Sequence, residues 1–484
     1  MASIKKEIAS GVMYIAIAKY SGIIVNIFIS AILARLLAPE DFGLIAIVSV
    51  FMNFFFIIGD IGIAPAIVQK RELSESDLDH IFSFTIYMGL ALTSVFFFLS
   101  WVIADIYNES RLVPISQLMG LIFFSNCARI VPSGLLNRAK RFKFSAMTGL
   151  FLGLLTSMIA ISMAYVGMGV YALIIPGLIN NFLVFVIYLH QYPRHFHFKL
   201  DLSPLKAIFS YSSFVFMFNC INYFSRNLDK MLVGKYLDFT QLGYYEKSYN
   251  LMMMPLNNIT FVITPVLHPI FSQYQNDLKF VYDKYLELLS VLAYISFPLS
   301  SLCYFIAPEL IQIIYGSQWQ PAIAPFQILA LTLGQQILIS TTGSIFQAVN
   351  GTKMLFIGGC FCAFFMISAF TISIFGWGTV TAVAWGFFVA QTLNSFQSYY
   401  LIFVRLLHGS LLPFIKKIAM PFIISVLVFV ILFIYNKYTI TDNLFINLII
   451  KAAIAFIVWC LSVQLFSPYS LKSILYNIAH RKFV

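Results

Sequence analysis

The sequence predicts an all-α polytopic membrane protein of about fourteen transmembrane helices, arranged as two six-helix lobes related by a pseudo-two-fold axis along the membrane normal, plus a C-terminal helix pair. Three observations predict it. The 484 residues are 60% hydrophobic and only 10% charged, where a soluble domain carries roughly 25% charged residues. Apolar runs of about twenty residues, enough to cross some 30 Å of hydrocarbon, recur along the chain, and the alternating ten-residue strands of a barrel do not. Finally, the chain repeats itself at a constant offset of 200: Lys6 and Ile8 answer to Lys206 and Ile208, Arg35-Leu36-Leu37 to Lys235-Tyr236-Leu237, Gly43 to Gly243, and Pro65 to Pro265.

The first six spans are expected at 10–37, 42–68, 80–104, 114–136, 145–166 and 169–190, forming an N-terminal lobe over 1–190. The apolar run after Lys5 and Lys6 continues to Leu37 without a small-residue cleavage site, so the first helix reads as a retained anchor. A linker, 191–204, contains Pro193, Arg194, His195, His197 and Pro204 and reads as a solvated strap on the cytoplasmic face. With no acidic or cysteine partner nearby in sequence, His195 and His197 do not make a metal site. The second lobe, 205–403, places spans at 205–234, 241–271, 285–307, 325–349, 354–375 and 379–403. The extra pair and tail occupy 404–484, with spans at 414–435 and 443–466. Asn137-Arg138-Ala139-Lys140 and Asn350-Gly351-Thr352-Lys353 suggest that the later half-repeats match at an offset of 213.

Lys and Arg set the orientation. With the N-terminus inside, twenty of them fall in inner segments, and only Arg35, Arg111, Lys235 and Lys437 fall outside. Both termini are therefore expected in the cytoplasm. This placement accounts for the net charge of +11 without nucleic acid. The six cysteines lie within spans and read as small core residues.

Six basic residues remain inside spans, Lys19, Arg129, Arg226, Lys230, Lys247 and Lys451, against the acids Asp60, Asp229 and Glu246. Each costs about 2.5 to 3.5 kcal/mol on insertion scales, so each should face a bundle interior or a wet cavity. Asn219, Asn222, Arg226 and Lys230 recur at helical steps and form one polar stripe, as do Asn126, Arg129 and Ser133. One account is mutual neutralisation, with Glu246 meeting Lys230 or Arg226 across the short outer turn. The other is an anion-binding cavity, in which Lys19, Arg129, Arg226, Lys230 and Lys247 with Asn219 and Asn222 receive a phosphate. Asp60, Asp229 and Glu246 are then coupling or ion-pair candidates, and Lys451 reads as a snorkelling residue near its span's outer end. Tyr244, Tyr245, Tyr249, Tyr315 and Trp319 could stack on sugars or form an interfacial belt, the outer loop being Pro308 to Pro325. No loop exceeds about twenty residues and no nucleotide-binding motif occurs, which argues against an enzyme, a catalytic metal or a cofactor and leaves transport.

Leu33-Ala34-Arg35-Leu36-Leu37-Ala38-Pro39-Glu40-Asp41-Phe42-Gly43-Leu44, followed by Asp60-Ile61-Gly62, resembles the opening of polysaccharide flippases of the multidrug/oligosaccharidyl-lipid/polysaccharide exporter superfamily. Leu242-Gly243-Tyr244-Tyr245 through Tyr249-Asn250-Leu251 and Pro255-Leu256 is similar to the subgroup of Wzx-type repeat-unit transporters. The resemblance, from about residue 4 to 405, implies a flippase in a bacterial inner membrane. Such a protein passes undecaprenyl-pyrophosphate-linked oligosaccharides to the outer leaflet for capsule, exopolysaccharide or O-antigen synthesis. H+ or Na+ would be the coupling ion, and polysaccharide polymerase and export machinery the partners. Flippases of that kind use arginines on the first, second and eighth spans; here the first offers Lys19, the second no buried base, and the main cluster, Arg226 and Lys230, lies on the seventh. The alternatives are a cation-coupled multidrug antiporter, which would need an acidic N-terminal cavity, and a membrane-bound polymerase, which would need a large outer loop.

Overall fold

The structure, a computed structural model, describes residues 20–59, 62–70, 72–199, 201, 203, 213–438 and 443–466; for 213–222 and 262 it describes the backbone alone. Among the described residues the ordered segments are helices and turns, without a strand. Among the described residues ten helices are long and apolar enough to cross a membrane, or eleven if the bent pair Ser317–Leu331 and Leu333–Ala348 counts as one broken span. Three others lie where the first, seventh and twelfth spans are expected: Tyr20–Leu36, Ser213–Tyr236 and Val380–Tyr400. The seventh carries Arg226, Asp229, Lys230 and Lys235, and this polar stripe lowers its hydropathy.

The chain divides into two compact units, Met1–Cys220 with Asp238–Gly243, and Ile221–Leu237 with Tyr244–Val484. In the first unit, Pro39 opens the helix Pro39–Gly59, a position where its missing N–H costs nothing. A Cβ on Gly43 would collide with the carbonyl of Phe239, and one on Gly243 with the carbonyl of Pro39. Residue 43 meets 239 while 243 meets 39, so the contact is reciprocal at the 200-residue offset, as a local two-fold requires. Backbones this close leave no room for a side chain.

In the second span Gly62, in the left-handed conformation at φ 74°, precedes a short helix Ile63–Gln69, whereas the fourth span, Leu112–Arg138, runs on through Arg129, which keeps right-handed helical angles and accepts from the Ser133 N–H. The helix Ile63–Gln69 packs on the fourth span through Ile63, Ile67, Ala128, Val131 and Leu135. The helix Pro39–Gly59 packs on it through Phe55, Phe56 and Phe123. The third span, Glu75–Tyr107, begins with a capping box in which Ser74 and Asp77 satisfy each other's backbone N–H.

The linker, exposed over residues 195–199 as expected, is also clasped to the third span. Arg194 Nη1 lies 2.6 Å from Glu75 and 3.5 Å from Asp79, and the backbone N–H of His195 donates to Asp79 at 3.1 Å. The N–H of His197 donates to Ser83 Oγ at 2.8 Å, and the Tyr87 hydroxyl to the Phe198 carbonyl at 3.2 Å. Residues 75, 79, 83 and 87 are successive i, i+4 positions, so one helix face presents every partner.

In the second unit, Leu278–Phe305 packs on the broken tenth span and on the end of the twelfth through Tyr285, Leu289, Ile345, Phe346, Ile402 and Phe403. The expected outer loop from Pro308 is instead the helix Ala307–Ile314 and a 3₁₀ turn, Ser317–Ala322, with Trp319 fully buried. The last pair, Leu412–Tyr438 and Leu444–Phe466, is tied to Leu278–Phe305 by Ser301 on Ser425 at 2.8 Å and by Trp459 Nε1 donating to the Tyr294 carbonyl at 2.7 Å.

The half-repeat offset of 213 is corrected. Lys140 (φ 55°) and Asn350 (φ 58°) both hold the left-handed position after their helices, and the next helices start at Phe142 and Thr352. The structural offset is 210. A left-handed turn is recognised by backbone conformation, which neither Asn137 nor Lys353 shares with its proposed match.

Candidate functional site

The seventh and eighth spans form an antiparallel hairpin about Asp238, whose carboxylate caps the second helix by accepting from the Gln241 N–H at 2.6 Å. Lys230 and Glu246 lie eight residues on either side of that cap, and they meet: Nζ to Oε2 is 2.8 Å, with both side chains largely buried. The ammonium also stands 5.0 Å from the Tyr249 ring centroid. Asn250 Nδ2 donates to the other oxygen of Glu246 at 3.0 Å. Asp229 is fully buried, accepting from the Tyr245 hydroxyl and the Lys230 backbone N–H, each at 2.8 Å.

One turn before Lys230, Arg226 is exposed and has no hydrogen-bond or ion-pair partner among the described residues. Its five donors are available in a fork that suits two phosphate oxygens. One turn further along, the Lys230 ammonium is held between Glu246 and the Tyr249 ring.

The remaining candidates separate. Lys19 and Asp60 lie outside the described residues, as do the side chains of Asn219 and Asn222. Lys247, one residue from Glu246, points elsewhere and packs 5.0 Å from the Tyr315 ring and 5.8 Å from that of Trp319. Arg129 belongs to the first unit, where its Nε donates to Asn126 Oδ1 at 3.1 Å. Its two Nη groups have no partner among the described residues. Asn126 itself lines a 360 Å³ cavity with Phe56, Ile57, Gly59, Leu92, Phe123, Cys127 and Ile130.

Two expectations are corrected. Lys451 does not snorkel: it is 1% exposed, donating to Glu309 at 2.6 Å and to the Phe305 carbonyl at 2.9 Å. Asn447 and Tyr435 extend the network. Glu309 is thus a buried acid that sequence reading left in an outer loop. Its only sequence signal is its position beside Pro308 in a helical first turn. Nor can Tyr245, Tyr315 and Trp319 stack on a sugar, since all three are buried. With Lys230 and Lys451 each paired to a carboxylate, Arg129 and Arg226 are the in-span arginines without one among the described residues.

A family model described as "Polysaccharide biosynthesis protein" matches residues 32–324. The chain is 24% identical over 433 residues to the lipopolysaccharide biosynthesis protein WzxC of Escherichia coli strain K12, covering 87% of this chain and 86% of that one. Its fold is similar to that of the lipid II flippase MurJ in an inward closed conformation, with a TM-score of 0.75 and 16% identity over 94% of this chain and 98% of that one. An inward-facing multidrug resistance transporter of the MATE family also superposes, with a TM-score of 0.57 and 14% identity over 78% and 93%.

Proposed function

The chain belongs to the polysaccharide biosynthesis protein family, and from that premise we propose that it is a flippase carrying lipid-linked oligosaccharide repeat units from the inner to the outer leaflet of a bacterial plasma membrane by alternating access. The observation that carries this reading is Arg226, a guanidinium without a counter-ion among the described residues, one turn from the Lys230–Glu246 pair on the most polar of the spans. A free arginine in such a place needs an anion, and the pyrophosphate of an undecaprenyl carrier supplies one. Arg226 receives it first, and Lys230 then leaves Glu246 for a phosphate oxygen. The sugar needs a hydrated path, whereas the polyprenyl tail can stay in lipid. An inside-negative potential favours outward movement of the anion by about 2.3 kcal/mol per charge per 100 mV.

The same reading places both termini in the cytoplasm, with lobes at 1–190 and 205–403 and the extra pair at 404–484. Glu246, once released, takes up H+ or Na+ and resets the carrier, with Asp60 and Asp229 as further coupling groups. Polymerase and export machinery receive the product, and no catalytic step is assigned to this chain.

The test is transfer of a fluorescent undecaprenyl-pyrophosphate oligosaccharide across reconstituted liposomes, wild type beside Arg226→Ala and Lys230→Ala. Loss of transfer in either folded variant supports the flippase and its site. Transfer by wild type and both variants alike keeps the flippase and rejects the site. Expulsion of cationic dyes without lipid movement replaces this reading with the antiporter.

A further inference from the structure

Two imidazoles face each other where the linker crosses the third span. The ring centroids of His80, on the helix Glu75–Tyr107, and of His197, on the linker, are 5.0 Å apart with the ring planes tilted by 31°. His80 Nδ1 also accepts from the backbone N–H of Asp201 at 3.4 Å. A ring nitrogen that accepts carries no proton, so this arrangement needs His80 in its neutral form, with the hydrogen on Nε2. A second proton turns Nδ1 into a donor aimed at another donor. It also sets a cation against the His197 ring, and a proton on each ring sets two cations in contact.

The carboxylates at this end of the span that could steady such charges are already engaged. Glu75 and Asp79 are taken by Arg194, and Asp79 also accepts from the His195 N–H. Asp77 caps its own helix through Ser74, and Asp201 accepts from the N–H and hydroxyl of Ser203 at 2.9 and 2.5 Å. Glu72 lies exposed in the turn before the helix. The other groups here are His190, His195 and Lys199 on the linker side, and Lys70 and Arg138 at the ends of the helices packed beside the span; all of them are bases. The contact between the rings is tied to the clasp itself. His197 donates its N–H to Ser83 Oγ at 2.8 Å, and Ser83 passes its own hydrogen to the Asp79 carbonyl at 2.8 Å. A ring driven away from His80 therefore pulls on the backbone bond of its own residue.

We propose that the His80–His197 pair makes the linker clasp a pH-sensitive latch, closed while both imidazoles are neutral and released when they take up protons. A histidine side chain ordinarily titrates near pH 6.5, so the latch answers to acid close to neutrality. What it releases is the segment that joins the sixth span to the seventh, and with it the reach of the connection between the two repeats. In the flippase reading this segment lies in the cytoplasm, and the acid sensed is cytoplasmic; the latch itself stands on the ring pair and the clasp, whatever the molecule carried.

The test is hydrogen exchange of the full chain in lipid nanodiscs from about pH 4 to 8, a range that brackets the histidine and carboxylate titrations. Each rate is divided by that of an unstructured peptide at the same pH. The N–H groups of His195, His197 and Asp201 report the clasp. Their protection is expected to fall below about pH 6.5 by roughly tenfold per pH unit for each proton taken up on opening, while peptides from Phe142–Tyr165 keep theirs. His80→Phe combined with His197→Phe keeps two rings in contact without a proton site, and should give protection that stays flat across the histidine range. His80→Lys, a permanent cation, should leave the linker unprotected throughout. Thermal melting at pH 8 checks folding, and His80→Phe alone carries the comparison if the double variant is unfolded. Wild-type protection that does not change overturns the proposal, as does an equal fall in the phenylalanine variants. A fall confined below about pH 4.5, the carboxylate range, overturns it too and assigns the acid sensitivity to Glu75 and Asp79. None of these readouts involves transport, so the latch and the flippase reading fail independently.

Discussion

Lys451 illustrates what burial does to a charge. Its ammonium is held by Glu309, Asn447 shares the same carboxylate oxygen, and neither ion reaches solvent. Removing one partner of such a pair leaves the other uncompensated, at a cost of about 3 to 5 kcal/mol. Lys451→Met is therefore expected to lower the melting temperature in detergent sharply, and Lys451→Met with Glu309→Leu to recover most of the loss. A double variant no better than the single one would show that the pair is not coupled. At the aqueous end of the fourth span the balance differs. Arg111 bonds Glu109 at 2.7 Å and Glu40, and is half exposed. Its hydrogen bonds hold the Glu109 carboxyl below the ordinary value of 4.5 and keep its own pKa raised. A depressed carboxyl contributes stability that is present above its unfolded value and is lost as pH falls through its folded one. Glu109→Gln should thus flatten the fall in stability below about pH 4.5 and change little at pH 7, by an amount reduced by solvent screening.

At the scale of elements, two predictions follow from how helices and linker touch. Gly43 and Gly243 each face a carbonyl of the opposite helix start, so Gly43→Leu and Gly243→Leu should abolish accumulation of folded protein. Gly149→Ala, with open space about it, should be neutral or stabilising by roughly 0.5 to 1 kcal/mol. Equal tolerance at all three would contradict the close crossing. The linker depends on Arg194. Arg194→Ala breaks its bonds to Glu75 and Asp79, and limited trypsin digestion should then cut faster after Lys199, because proteolysis tracks the population of the opened segment. An unchanged rate would mean that the backbone bonds from His195 and His197 hold the clasp alone.

The whole molecule is where repeats and long-range partners become visible. The 200-residue offset could be read directly because the first turn of each repeat is equal: the described helices end at Leu36 and Tyr236, Pro39 and Phe239 open the next, and Gly43 and Gly243 both avoid the same clash. The later offset was misread as 213, since sequence identity favoured Asn137 with Asn350 while the backbone pairs Lys140 with Asn350. Transport of a lipid anion by this molecule predicts a dependence on membrane potential: collapsing it should slow outward transfer in liposomes, and an unchanged rate would remove the electrical term from the mechanism.

Taken by itself, the chain's order of residues determined that it crosses membranes as helices, that it is built from repeats, and that Glu246 on the eighth span lies within reach of Lys230 or Arg226 on the seventh; the structure chose Lys230. Each of these is encoded locally, by hydropathy, by spacing along one helix, or by a hairpin short enough to count across. Only the tertiary structure decided that Lys451 has Glu309 for a partner 142 residues away, that the linker is clasped, and that Trp319 and Tyr245 are buried. These depend on which faces of distant helices pack together, and no period or spacing within a single segment records that choice.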